Sequence, residues 1–76
     1  MHKELRSSLW LRAFDWDLES ARLVIFYRNR NVITFFDVSD EAAEKFINAI
    51  FKFRYIEVMK KNPAFPFNFA GKRPLK

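Results

Sequence analysis

The carboxylates Asp15, Asp17 and Glu19 form the only acidic cluster near a turn in this 76-residue chain. Hard oxygen ligands in that arrangement suit Mg²⁺ or Ca²⁺. The spacing of a calcium loop is missing, however, and acidic turns are commonly just solvated, so no metal is expected. Other reactive groups are scarce. There is no Cys, a single Gly, and one His, His2, placed at a terminus where a solvated side chain is expected. Ser7, Ser8 and Ser20 have no evident base beside them. No nucleophile–base pair, phosphate-cradling loop or zinc pattern can be assembled from this set. The expectation is a non-enzymatic protein that needs no cofactor.

Binding chemistry is better represented. Arg12, Arg22, Arg28 and Arg30 fall on predicted strands and their turns, beside Trp10, Trp16 and Tyr27. Rings next to guanidinium groups on a sheet can stack bases and grip phosphates. Lys60, Lys61, Lys72, Arg73 and Lys76 add cations that would contact phosphates without regard to sequence. This points to a small accessory module for single-stranded DNA or RNA. The alternative is an adaptor or homo-oligomeric subunit that uses Trp10, Trp16, Phe65, Phe67 and Phe69 against a protein partner or a second copy. Against the first reading, Arg side chains often simply cover an aromatic face.

The elements that must position these groups follow from periodicity. Leu9 to Trp16 alternates, with Trp10, Arg12, Phe14 and Trp16 on one face and Leu9, Leu11 and Ala13 on the other. Asp17 to Ser20 is a turn rich in residues that bond their own backbone. Arg22 to Arg28 is apolar on both faces, which makes it a central strand needing cover on each side. Asn29-Arg30-Asn31 is a tight turn in which Asn replaces the usual Gly. Val32 to Val38 is a third strand, with Ile33 and Phe35 on one face.

A helix is predicted over Asp40 to Lys61. Ser39 or Asp40 caps it, acidic residues occupy its first turns, and Lys60, Lys61 and Pro63 end it. Val38 can staple onto Ala43. Ala42, Phe46, Ala49, Ile50 and Phe53 make an apolar stripe, but the polar face loses phase after Lys52. Either the helix continues with most of its circumference buried, which is the preferred reading, or it breaks near Phe51 to Phe53 and resumes as a strand. The fold class is therefore α+β: an antiparallel three-stranded β-meander, then a C-terminal helix (β-β-β-α), then an extended basic tail. Residues 1–7 are expected to be loose, 8–61 to form a single domain, and 62–76 to form a Phe- and Pro-containing tail.

Composition sets the remaining bounds. A chain this short buries only about 60% of its unfolded surface, so it needs a dense aromatic core or a partner. Fourteen aromatic residues, ten of them Phe, supply the first and leave a surplus. The net charge of +5 is local. Residues 1–57 balance nine basic against nine acidic side chains, and the excess lies in Lys60, Lys61, Lys72, Arg73 and Lys76. Pro63 and Pro66 hold the tail extended, and its three Phe are expected to dock on the body or on a partner. The polar start of the chain does not read as a signal peptide. No apolar run approaches the ~20 residues that span a bilayer. Without Cys, a reducing cytoplasmic location is expected, with no membrane partner.

With these elements placed, a family pattern is visible. Ser7-Ser8, a strand ending in Trp16-Asp17, Leu23-x-Ile25-x-Tyr27-Arg28, a short turn, Val32-x-x-Phe35, Val38 and an acidic helix start resemble the KTSC domain over residues 7–50. That is a small bacterial and phage module named after the C-terminus of some lysyl-tRNA synthetases. The resemblance implies the same α+β fold and, through the company the family keeps, a link to RNA. It carries over no catalytic residues. This chain departs from the pattern at Arg30-Asn31, Ser39, Ile50-Phe51-Lys52-Phe53 and Ile56-Glu57, so its C-terminal part is expected to diverge.

Overall fold

A computed structural model describes residues 1–6 and 8–70. Among these residues, five strands and two helices follow one another as β1 (His2–Glu4), β2 (Leu11–Asp17), β3 (Arg22–Tyr27), β4 (Val32–Phe35), α1 (Asp40–Asn48), α2 (Lys52–Lys61) and β5 (Phe67–Ala70). All strands pair antiparallel in the spatial order β1-β2-β3-β4-β5. The meander is thus present, but the expected three strands become five.

Both additions lie at the ends of the chain. His2–Glu4, expected to be loose, pairs with Ala13–Asp15, and His2 is not merely solvated: its Nδ1 lies 2.6 Å from Asp15 Oδ1. Phe67–Ala70 pairs with Val32–Phe35 after the α2 excursion. Polar composition hid the first strand and the two prolines masked the second. A three-residue strand needs almost no sequence signal when its neighbour supplies every hydrogen bond.

Register settles which side chains share a face. Phe14 lies opposite Ile25, Trp16 opposite Leu23, Ile33 opposite Ile25 and Phe35 opposite Leu23. These side chains point toward the helices, and all except half-buried Trp16 are fully buried. A bulge between Leu11 and Ala13 corrects the simple alternation expected for β2. Two residues there oppose one, so Leu11 joins Phe14 on the covered face while Arg12 turns to the other.

The predicted single helix is two helices. Ser39 caps α1, its hydroxyl accepting from Ala42 N at 3.1 Å. Ala42, Ala43 and Phe46 are buried. At Ala49 the backbone becomes extended, and α2 then buries Ile56 and Met59. The lost phase of the polar face marked this break, but the chain resumes as a helix and not as the alternative strand. A straight continuation would carry the α1 stripe on through Ile50, whereas the core takes Ile56 and Met59. The kink rotates the second apolar stripe back onto the sheet. The Phe14 and Phe46 rings meet edge-on at 5.1 Å, joining sheet to helix.

Candidate functional site

The β1–β2 connection and the α1–α2 connection come together at one end of the sheet. Between them lies a groove of about 530 Å³ whose walls include Leu5, Leu9, Trp10, Ile50, Phe51 and Phe53. Several of these are apolar and bare: Leu9 is 82% exposed, Trp10 60%, Ile50 88% and Phe51 71%. Single exposed apolar residues are ordinary, but four large ones around one groove are not. Trp10 also touches Phe53, with ring centroids 5.7 Å apart, and Phe53 meets Tyr27 edge-on at 6.2 Å. Those contacts fix one wall.

The other structural prop of this wall is Arg28. Its Nε donates to Ser8 O at 2.7 Å, and its Nη2 donates to Leu5 O at 2.8 Å and to Arg6 O at 3.4 Å. Ser8 Oγ in turn accepts from Leu11 N at 3.1 Å and, more weakly, from Trp10 N at 3.3 Å. The guanidinium thus ties the β1–β2 connection to the end of β3. Sequence placed Arg28 only among the four strand and turn arginines beside Trp10, Trp16 and Tyr27, and a backbone-clamping role has no sequence signature.

The charges on the groove walls are Lys52 and Arg54, with no acid among the lining residues. Lys52 Nζ donates to Ala49 O at 2.9 Å and sits 6.0 Å from the Phe46 ring centre. Partial burial, with Lys3 adding like-charge repulsion, holds its amine below the ordinary 10.5. Tyr27, on the far side of Phe53, is pushed up from 10.0 by burial first and by Glu57 second.

A second cleft of about 520 Å³ opens beside the β3–β4 turn. It gathers Arg12, Arg28 and Arg30 with Phe26 and Asn31. Arg30 occupies the left-handed region at φ 75°, the position where a glycine would be usual, and Asn31 N bonds Asn29 Oδ1 at 3.0 Å. Arg12 lies over the Phe26 ring at 5.3 Å, and further along the same uncovered face Arg22 lies over Phe36 at 5.5 Å. Three of the four strand and turn arginines therefore converge, and the fourth is displaced along β3.

The remaining expected site residues scatter. Lys60 pairs with Glu57 at 3.3 Å, while Lys61 is exposed at the end of α2. Trp16 and Phe65 pack against the core, and Phe67 and Phe69 sit on β5. Lys72, Arg73 and Lys76 lie outside the described residues. Sequence reasoning missed Leu9, Ile50 and Phe51 as site residues. The signal was there in the loss of helical phase, which left Ile50 and Phe51 without a core to face. Among the described residues, no three His, Asp or Glu side chains gather as a metal site would require. No helix among them is long and apolar enough to cross a membrane.

Comparison with known proteins fits this architecture to a family. The KTSC domain model matches residues 7–62, most of the chain. The protein belongs to the KTSC domain family. The match continues past residue 50 through α2, beyond the expected limit. The crystal structure of a KTSC domain protein from Yersinia pestis superposes with a TM-score of 0.76 at 21% identity, covering 93% of this chain and 97% of that one. At this identity the likeness speaks for the KTSC fold. Its coverage also reaches into the C-terminal part that was expected to diverge. No curated protein matches the chain.

Proposed function

We propose that this KTSC domain is a non-enzymatic protein-interaction module whose groove receives large apolar side chains of a partner. The observation that carries this reading is the bare quartet Leu9, Trp10, Ile50 and Phe51 around one concave site. Aromatic anchors in a pocket are the usual centre of binding energy at protein interfaces. Lys52 and Arg54 on the walls, with no acid among the lining residues, favour a partner segment whose apolar anchors are flanked by carboxylates. The absence of Cys suits a reducing compartment, and the cytoplasm is the proposed location.

Selection of a displayed peptide library on the full chain tests this. Peptides combining large apolar and acidic residues should be enriched by the parent protein and lost with Phe51→Ser and Trp10→Ser. Peptides held equally by all three proteins would overturn the groove as the site.

A second reading, binding of single-stranded DNA or RNA, draws on the convergence of Arg12, Arg28 and Arg30 beside Phe26. It ranks lower because Arg28 is engaged with three carbonyls and the Phe26 ring lies under Arg12. Titration of labelled single strands at low and moderate salt tests it. Affinity should fall with salt and with Arg30→Ala, and deleting residues 72–76 should flatten the salt slope. Binding indifferent to all three changes ends this reading.

A further inference from the structure

The two edges of the sheet are not alike. At β1 the edge is three residues long, carries Lys3 and Glu4, and holds His2 against Asp15. Charge and brevity are the ordinary devices that keep an edge from recruiting another strand. β5, Phe67-Asn68-Phe69-Ala70, has no charged residue. Phe67 is 41% exposed and Phe69 50%.

Which backbone groups of β5 face outward follows from one hydrogen bond. Phe36 N donates to Pro66 O at 2.8 Å, so residue 66 points toward β4. Alternation along an antiparallel pair then points Asn68 and Ala70 toward β4, and leaves the N–H and C=O of Phe67 and Phe69 at an edge that no other described strand pairs with. Phe67 and Phe69 are opposite Phe35 and Ile33, so both rings lie on the helix-covered side of the sheet. The Phe67 ring already touches Phe35 at 5.7 Å.

The run Phe-Asn-Phe reads the same in both directions. An antiparallel copy with its two-fold axis at Asn68 sets Phe67 opposite Phe69 of the second copy, and Phe69 opposite Phe67. Those are the residues whose backbone groups face outward, so both pairs fall in the hydrogen-bonded register. Moving the partner by one residue would face outward groups with inward ones. The same register stacks the exposed rings as cross-strand aromatic pairs on one side of a continuous sheet. No like charges meet within β5.

We propose that β5 is a self-pairing edge, and that two copies of this chain join through Phe67 and Phe69 into one ten-stranded antiparallel sheet. So short a contact predicts a weak dimer, at the low end of specific interfaces. The groove at the Trp10 end takes no part, so this proposal stands or falls apart from the functional reading above.

Sedimentation equilibrium of the full chain, from micromolar to about 1 mM, is the test. Mass should rise toward two copies. Phe69→Lys should weaken association about tenfold or more, because each change is met twice across the axis. Adding Phe67→Glu to Phe69→Lys faces opposite charges in the proposed register and should restore much of the association. Phe67→Lys with Phe69→Lys should not. Trp10→Ser should leave the mass unchanged. Circular dichroism of each variant shows that the sheet is still formed. A chain monomeric throughout, a dimer insensitive to Phe69→Lys, failure of the charge pair to rescue, or loss of the dimer with Trp10→Ser would each overturn the proposal.

Discussion

Besides those of β5, aromatic rings reach the surface on the uncovered face of the sheet and at the groove, and the chain treats these two regions differently. On the uncovered face of the sheet, Phe26 and Phe36 each lie beneath a guanidinium, that of Arg12 and that of Arg22. At the groove, Trp10 stays 60% exposed beside the Phe53 ring, and Phe51 is 71% exposed. Covering a ring with an arginine stem and its planar head shields apolar area while leaving the charge in water. The first surface is therefore complete within one chain. The second keeps its apolar area exposed, a state that another molecule would relieve. This contrast, more than the net charge, is why the groove is the better candidate for binding.

A ring covered wholly by the protein marks the upper end of the comparison. Phe46 is fully buried and meets Phe14 edge-on. Phe46→Ala should cost about 3–5 kcal/mol, the range for an emptied aromatic site. In a domain this small that consumes much of the total stability. Urea denaturation followed by tryptophan fluorescence would read it. A loss below about 1 kcal/mol would mean that the helices cover the sheet far more loosely than the fold implies.

Arg28 should come next. It bridges the two regions, lining the basic cleft while its guanidinium holds the groove wall through Ser8, Leu5 and Arg6. Arg28→Ala should cost about 1–2 kcal/mol, less than for buried charge-assisted bonds because the site is exposed. Hydrogen exchange should quicken in residues 5–10. Arg28→Lys should recover little, since an ammonium cannot reproduce the guanidinium fork. Equal protection in all three proteins would reduce Arg28 to an ordinary surface cation.

The direct contrast is smaller still. Arg22→Ala uncovers Phe36 and should destabilise by about 0.5–1 kcal/mol. Phe51→Ser removes a ring that nothing covers and should change stability by no more than about 0.5 kcal/mol, while losing the selected peptides. If Phe51→Ser proved the more destabilising of the two, the groove would be a packing element and the contrast would fail.

Much of this fold was readable from sequence because β3 and its turns are locally explicit. Leu23 to Tyr27 admits only a central strand, Asp17 to Ser20 bonds its own backbone as such turns do, and Ser39 caps where a cap was expected. β1 and β5 were not readable as strands, because edge pairing depends on what lies beside a segment and not on its own pattern. The helix break was half visible: the phase slip at Lys52 marked where the chain must turn, but which element followed depended on the sheet. The site divides in the same way. Arg12 and Arg22 stand beside rings as their types suggest, yet the specific rings, Phe26 and Phe36, follow from a bulge and a register that no local pattern encodes.

The finest test asks whether Arg22 belongs to its ring or to an acid. Asp17 lies directly opposite Arg22 in the β2–β3 register. Its carboxyl is held below the ordinary 3.8, and the largest cause is the Ser20 hydroxyl, which donates to Oδ2 at 2.8 Å. Desolvation opposes this, and backbone bonds from Glu19 and Ser20 and the positive N-terminus add to it. A carboxyl with a lowered folded-state pKa adds stability above its unfolded value, and that contribution is lost as pH falls through the lower, folded value. The effect is therefore confined to strongly acidic solution, below about pH 4. Carboxyl-carbon NMR titration of Asp17 should move upward in Ser20→Ala and stay in place in Arg22→Ala. An upward move in Arg22→Ala would instead tie the guanidinium to Asp17, and the cover over Phe36 would then be incidental to an ion pair.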